Sequence, residues 1–443
     1  MPDRHIAPAI SEAEAARAFA RIGLLSFGGP AAQIAVMHRI LVEEKKWLGE
    51  AQFLHALNFC MLLPGPEAMQ LATYSGWLMH GVRGGLAAGL LFILPGLAMM
   101  LALSAVFVLY GDVPAVAGLL YGVKAAVLAI VAEALIKVSR KALKTRLMVA
   151  VAGAGFVAIA FFKAPFPLIV IGAGLLGIAF SRFAPGLLPT VASADGEGAI
   201  KPRGDRRRGG ALATTAMWIA VWLIPLATLV TIFGRGHVLA DAALFFSRTA
   251  VVTFGGAYAV LAYVGQQAVE LYGWLKPDEM LAGLGLAETT LGPLVLVLVF
   301  VGFLAGTGIE GLSPLAGGLA GGMVAAFFTF APCFLWIFAG APHVEALRHV
   351  RWLAAGLATI TAAVVGVIAN LAVWFGLHVL FGDHADLRLG PLSLPAPRLG
   401  DLDAFALAIA VIAGLALIRR RANMLAVLAA AAGAGLAMRL VAG

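Results

Sequence analysis

Long apolar runs separated by short polar intervals make up most of this chain. Runs long enough to cross a bilayer as helices, allowing for tilt, fall at about 15–38, 53–80, 85–110, 114–136, 147–162 and 165–181. They return at 211–233, 241–265, 280–306, 315–340, 352–380, 403–418 and 424–441. The pattern predicts an all-α integral membrane protein with about thirteen transmembrane segments. Two runs cannot be unbroken helices. Leu62 to Gln70 reads LLPGPEAMQ, where Pro64 and Pro66 remove backbone donors and disfavour helix at the residue before each. A weaker copy, TTLGPLVLV, stands at Thr289 to Val297. Lipid tolerates broken backbone only where protein or a water-filled cavity satisfies the freed groups, so both breaks are expected inside the protein. Transporters place their binding sites at such breaks.

Composition agrees with this class. With 62% hydrophobic and 12% charged residues and a mean hydropathy of +0.97, the chain has too little polar surface to cover a soluble globule. Its first residues lack the basic, apolar and small-residue segments of a cleavable signal, and Ser11 and Glu14 have the spacing of a capping box, so a helix is expected from Ala15. The net charge of +8 is explained by orientation in the membrane and not by nucleic acid. With the N-terminus cytoplasmic, nineteen of the thirty-one Lys and Arg fall inside the cell. They include the run from Lys137 to Arg146, the cluster Lys201, Arg203, Arg206, Arg207 and Arg208, and Arg419 to Arg421. Arg39, Lys45 and Lys46 fall outside on this count. Cys60 and Cys333 lie far apart in apolar surroundings, and neither an HExxH arrangement nor a P-loop is present. No metal, cofactor or nucleic-acid partner is expected. The bilayer is the expected environment, and a homodimer is left open.

The sequence also repeats. At a constant offset of 227 positions Phe19 falls on Phe246, Arg21 on Arg248, Phe27-Gly28-Gly29 on Phe254-Gly255-Gly256, Glu43 on Glu270, Trp47 on Trp274 and Gly65-Pro66 on Gly292-Pro293. An insertion near Thr307 to Leu315 then shifts the offset to 237, which aligns Gly84, Gly85 and Pro95 with Gly321, Gly322 and Pro332. The expected organisation is a first repeat of six spans at 1–182, a basic cytoplasmic linker at 183–210, an inverting span at 211–240 and a second repeat at 241–443. Six spans plus one make the second copy insert upside down. Inverted repeats are typical of secondary transporters.

These residues resemble the chromate ion transporter family in its long form, with two homologous halves on one chain. The motifs are Ser26-Phe27-Gly28-Gly29-Pro30, Trp47, the PGPEAMQLATYSGW run from Pro64 to Trp77, Thr253-Phe254-Gly255-Gly256-Ala257-Tyr258, Gly273-Trp274 and Ala287-Glu288-Thr289-Thr290. The resemblance implies a chromate exporter of the bacterial inner membrane, driven by the proton motive force and conferring chromate resistance. The family pattern has proline at Leu291 and glutamine at Val299, so the second break is expected to be straighter and less polar.

Chromate is a tetrahedral dianion shaped like sulfate, and a site for it needs converging hydrogen-bond donors. Broken helices supply free N–H groups, and glycines let a ligand approach them. Gly28, Gly29, Gly255 and Gly256 fit that role beside the hydroxyl residues Ser26 and Thr253. The alternative is that these glycines only permit close helix packing. Pro64, Gly65, Pro66, Gly292 and Pro293 form the proline breaks, and Gln70 lies one turn further on, placed to donate to an oxoanion or to a neighbouring helix. Arg21 and Arg248 are candidate cationic anchors, with snorkelling to an interface as the alternative. Glu67 and Glu288 flank the two breaks. A carboxylate beside a dianion repels it unless protonated, which marks both as candidates for proton coupling, with helix capping as the alternative for Glu67. The expected function is chromate export. Transport of sulfate or another oxoanion is the first rival, with sulfate expected to compete under either reading. A membrane enzyme or receptor is the rival of another class.

Overall fold

The computed structural model describes residues 10–188, 208–254, 257–343, 350–381, 385–389 and 392–442. Sixteen α-helices account for nearly all of them. The first, α1 (Glu12–Leu25), begins where the Ser11 side chain accepts the Glu14 N–H. It stops at Ser26. After a short break α2 (Gly29–His38) runs on through a π-helical turn, Arg39–Glu44. Lys45 Nζ meets Glu14 at 2.8 Å and Arg21 Nη1 meets Glu44 at 2.7 Å, which brings the end of this second helix back beside the start of the first. The apolar run 15–38 is therefore a helical hairpin. Lys45 and Lys46 sit on the face where α1 begins. Their expected place, with Arg39, on the membrane face opposite the N-terminus is corrected by this pairing, because Lys45 cannot reach Glu14 across a hydrocarbon core about 30 Å thick.

The chain then enters α3 (Glu50–Cys60), breaks at 61–66 and continues as α4 (Glu67–Tyr110). Residues His80 and Gly81 leave helical geometry, with Gly81 at φ 67°, and α4 turns back on itself there. Gly76 faces the Gly84 backbone and Gly89 faces Thr73, so close that a side chain at either glycine would collide. Such small-residue contacts hold helices together in a medium that offers no hydrophobic gain for association. Three helices complete the half: α5 (Pro114–Ala142), α6 (Arg146–Phe162) and α7 (Phe166–Phe183).

The connecting α8 (Arg208–Phe233) leaves Leu212, Ile224 and Ile232 exposed, as suits a helix bathed in lipid. Most of the basic linker before it, 189–207, lies outside the described residues.

The second half repeats the element order of the first. α9 (Val238–Val252) and α10 (Ala257–Gln266) are followed by a π-helical turn, Gln267–Leu271. Phe245 packs on Tyr272 and Trp274 at ring separations of 5.5 and 5.6 Å, folding this pair back as in the first hairpin. α11 (Pro277–Thr289), a break, a 3-10 turn at Leu294–Leu296 and α12 (Val297–Gly306) precede α13 (Pro314–Gly340). Here Gly302 faces Gly321 and Gly306 faces Gly317, matching the fold-back of α4. Then come α14 (Arg351–Phe381), a two-stranded antiparallel hairpin of β1 (Ala385–Leu389) and β2 (Leu392–Ala396), α15 (Ala404–Gly414) and α16 (Met424–Ala442). Seven helices among the described residues are long and apolar enough to cross a membrane. This is a multi-pass, all-α membrane protein.

Candidate substrate site at the helix breaks

The four breaks meet in the interior, and two reciprocal backbone hydrogen bonds join them. The Gly65 N–H donates to the Thr253 carbonyl at 2.9 Å, and the Gly292 N–H donates to the Ser26 carbonyl at 2.8 Å. Since Ser26 and Thr253, and likewise Gly65 and Gly292, are repeat equivalents, each half makes to the other the bond that it receives. That reciprocity is the signature of a pseudo-twofold relation. Gly65 and Gly292 have φ of 120° and 82°, a region that favours glycine, and this is what turns each N–H toward the opposite break. Gly28 and Gly29 also have positive φ, 83° and 78°. A side chain added at Gly29 would meet nothing within 4 Å, so backbone conformation and not close packing requires glycine there. Gly255 and Gly256 lie outside the described residues.

Side chains reinforce the junction unequally. The Ser26 hydroxyl donates to Ile22 O and the Thr253 hydroxyl to Thr249 O, so both are turned back into their own helices and it is their carbonyls that face the partner break. The Gln33 amide donates to Gly292 O, and the Gln70 amide donates to Pro64 O at 2.7 Å. A carbonyl only accepts, so the amide nitrogen must face it. Both side-chain oxygens, Oε1 of Gln33 and of Gln70, are then left buried without a partner among the described residues. Glu288, 4% exposed, accepts the Tyr258 hydroxyl at 2.6 Å. Glu67 opens α4, and among the described residues no hydrogen bond reaches its carboxylate.

A narrow cavity lies at this junction, lined by Pro30, Gln33, Pro66, Glu67, Ala68, Ala257, Pro293 and Leu294. Those residues belong to the first turns of α2, α4 and α10 and to the 3-10 turn that leads into α12. Every helix that starts after a break therefore starts here. Helix starts carry unsatisfied N–H groups and a partial positive charge, and four of them around one space make a region suited to an anion. Glu67 is the one ionisable side chain in the lining.

The chromate transporter family pattern matches residues 13–178 and 240–436, both halves of the chain. The chain belongs to the chromate transporter family. A relative in Synechococcus elongatus, named "Probable chromate transport protein", is 29% identical over 377 residues, 85% of this chain and 87% of its own. The "Chromate transport protein" of Cupriavidus metallidurans is 29% identical over 83% of this chain and 84% of its own, and that of Pseudomonas aeruginosa 30% identical over 83% and 82%. No solved structure matches this chain.

Within this member of the family the two half-sites differ. Glu67 corresponds by the repeat to Leu294, Gln70 to Val297 and Gln33 to Val260, while Tyr258 and Glu288 correspond to Ala31 and Met61. The first half thus brings a carboxylate and two amides to the junction, and the second brings a tyrosine–carboxylate pair. Arg21 and Arg248 stand five residues before their breaks and outside the cavity lining; Arg21 is held by Glu44, where the second half has Leu271. Gln33 and Pro30 escaped the sequence reading as individual site residues. Pro30 was visible only as the end of a motif, whereas the signal for Gln33 was an isolated amide one turn into an otherwise apolar helix.

Proposed function

We propose that this transporter exports chromate across the bacterial inner membrane by a proton-motive-force-driven cycle, and so confers chromate resistance. The observation that carries this reading is the convergence of four helix starts on one interior cavity, which gives an oxoanion its donors without a fixed cation. Free backbone N–H groups in the opening turns of α2, α4 and α10 and in the turn at Leu294–Leu296 form the cradle, with Gly28 and Gly29 letting an anion approach. Pro64-Gly65-Pro66 and Gly292-Pro293 shape the breaks, since the Gly65 and Gly292 N–H groups are committed to Thr253 O and Ser26 O. Ser26 and Thr253 act through their carbonyls, which set the spacing of the breaks. Gln70 braces Pro64. Glu67 and Glu288 are the proton-coupling groups, and Arg21 and Arg248 supply a positive field near each hairpin.

In this reading the halves are inverted repeats, 1–182 and 241–443, joined by the linker 183–210 and the inverting span within 211–240, with a cytoplasmic N-terminus. The hairpins of the first half then enter from the cytoplasm and those of the second from outside, and alternate loosening of the two reciprocal bonds exposes the cavity to one side at a time. A dianion leaving a cell with a negative interior gains about 4.6 kcal/mol per 100 mV, twice the single-charge value. Export is electrically downhill.

The test is chromate accumulation in everted membrane vesicles energised to an inside-positive potential. The expected result is accumulation that collapses when the potential and proton gradient are dissipated. Accumulation of sulfate without chromate would replace chromate with another oxoanion, and movement of neither would overturn the transport reading.

A further inference from the structure

A second cavity, of about 60 Å³ and larger than the one at the junction, lies between the start of α1 and the fold-back of α4. Glu12 lines it from the first turn of α1, and His80 and Arg83 line it from either side of Gly81, where α4 reverses. From the junction to His80 along α4, and to Glu12 along α1, is about 20 Å at about 1.5 Å per residue. With the junction near mid-membrane, that exceeds half of a hydrocarbon core about 30 Å thick, so the cavity lies at the level of the lipid headgroups. A first-turn acid suits the start of any helix, and an arginine at a fold-back suits a membrane surface. Neither fact explains why Glu12 and Arg83 share one cavity and yet have no ion-pair partner among the described residues. Nor does either explain why His80 Nε2 is buried there without a hydrogen bond.

An anion in this cavity would meet Glu12, and a cation would meet Arg83. A zwitterion satisfies both. We infer that the cavity is a binding site for a phospholipid with an ethanolamine headgroup, whose phosphate accepts hydrogen bonds from the Arg83 guanidinium and the His80 Nε2–H and whose ammonium donates to Glu12. A guanidinium offers a phosphate paired donors, and a carboxylate suits the N–H groups of an ammonium. A quaternary ammonium has no N–H to give and a glycerol headgroup has no cation, so the three side chains discriminate among headgroups at equal acyl chains. Free phosphoethanolamine shares this chemistry, a phosphate anion and an ammonium two carbons apart. The lipid is favoured because the path down α4 from Arg83 is apolar and open. Ala87 is exposed, and Leu90 and Leu94 are 38% and 48% exposed, at the spacing of one helix face, which gives acyl chains a surface to lie on. Bound there, the lipid ties the start of α1 to the fold-back of α4. The site owes nothing to which anion the junction carries.

Purified full-length protein in detergent is titrated with ethanolamine, choline and glycerol phospholipids of identical acyl chains, with binding read by native mass spectrometry and stability by thermal unfolding. The ethanolamine lipid is expected to bind at least about fivefold tighter than either of the others and to raise the unfolding temperature most. Glu12→Gln is expected to remove its advantage over the glycerol lipid and Glu12→Lys to reverse it, whereas Arg83→Gln weakens all three. Each preference is a ratio within one variant, so a general loss of stability does not imitate it. Equal binding of the three lipids, no bound lipid at all, or an ethanolamine preference unchanged in Glu12→Lys overturns the site. Soluble phosphoethanolamine is expected to give no shift at concentrations where the lipid saturates. A shift equal to that of the lipid would overturn the assignment to a lipid and leave a site for the free headgroup. None of these readouts uses chromate, so failure of the transport reading leaves them intact.

Discussion

Arg21 and Arg248 are equivalent in sequence but not in circumstance. Arg21 is held by Glu44, whereas Arg248 faces a hairpin end where Leu271 replaces that acid. The pair is half exposed, with relative exposures of 53% and 36%, and Arg39 reaches the same carboxylate at 3.5 Å. In a double-mutant cycle of Arg21→Ala and Glu44→Ala the coupling is therefore expected to be modest, about 0.2–1 kcal/mol by chemical denaturation in detergent. Strict additivity would mean that the pair does not hold the hairpin closed and would return Arg21 to the role of a free anchor. At the same scale, Gln33 shows what a residue list omits: its importance comes from one carbonyl, Gly292 O, that lies across the molecule.

Between elements, the contacts that shape this protein are made by backbone against backbone. Gly306 and Gly317 touch across the fold-back of α12 and α13, and Gly155 in α6 touches Ala363 in α14. Gly306→Val is expected to push these helices apart and to cost about 1–3 kcal/mol, the usual range for overpacking a tight contact. Gly153→Val, on the same helix as Gly155 but facing open space, is expected to change stability by no more than about 0.5 kcal/mol. Thermal unfolding of the two variants side by side checks this, and equal losses would show that helix propensity, not packing, sets the effect. From sequence, the two glycines of α6 look alike. Which of them meets a neighbour depends on the position of a helix some two hundred residues away.

At the scale of the whole molecule, the inverted arrangement predicts that equivalent hairpin ends lie on opposite faces of the membrane. Glu43 and Glu270 are repeat equivalents and both are exposed, and the native Cys60 and Cys333 are buried and give little background. Glu43→Cys is expected to react with a membrane-impermeant maleimide only in everted vesicles, and Glu270→Cys only in intact cells. Labelling of both from one side would exclude inversion and leave a pseudo-twofold axis along the membrane normal.

Several features were legible in the chain by itself, for a common reason: each is a local property or a periodic one. The membrane class follows from apolar runs and hydropathy, the helix start at Ser11 from a four-residue pattern, the breaks from Pro64, Pro66 and Gly292, and the duplication from a constant offset. Family membership follows from motifs that are themselves short. What required the tertiary structure is everything that depends on pairs distant in sequence. The runs 15–38 and 241–265 look like single crossings because hydropathy records length and apolarity but not direction, and only the Lys45–Glu14 and Phe245–Trp274 contacts show that each turns back. The reciprocal bonds between Gly65 and Thr253 and between Gly292 and Ser26 were equally invisible, since a backbone donor looks the same in every residue until its partner is in place. The sequence determined where this protein's helices must break. The fold decided that the four breaks share one cavity, because only packing can bring helix starts from both halves of the chain to the same point.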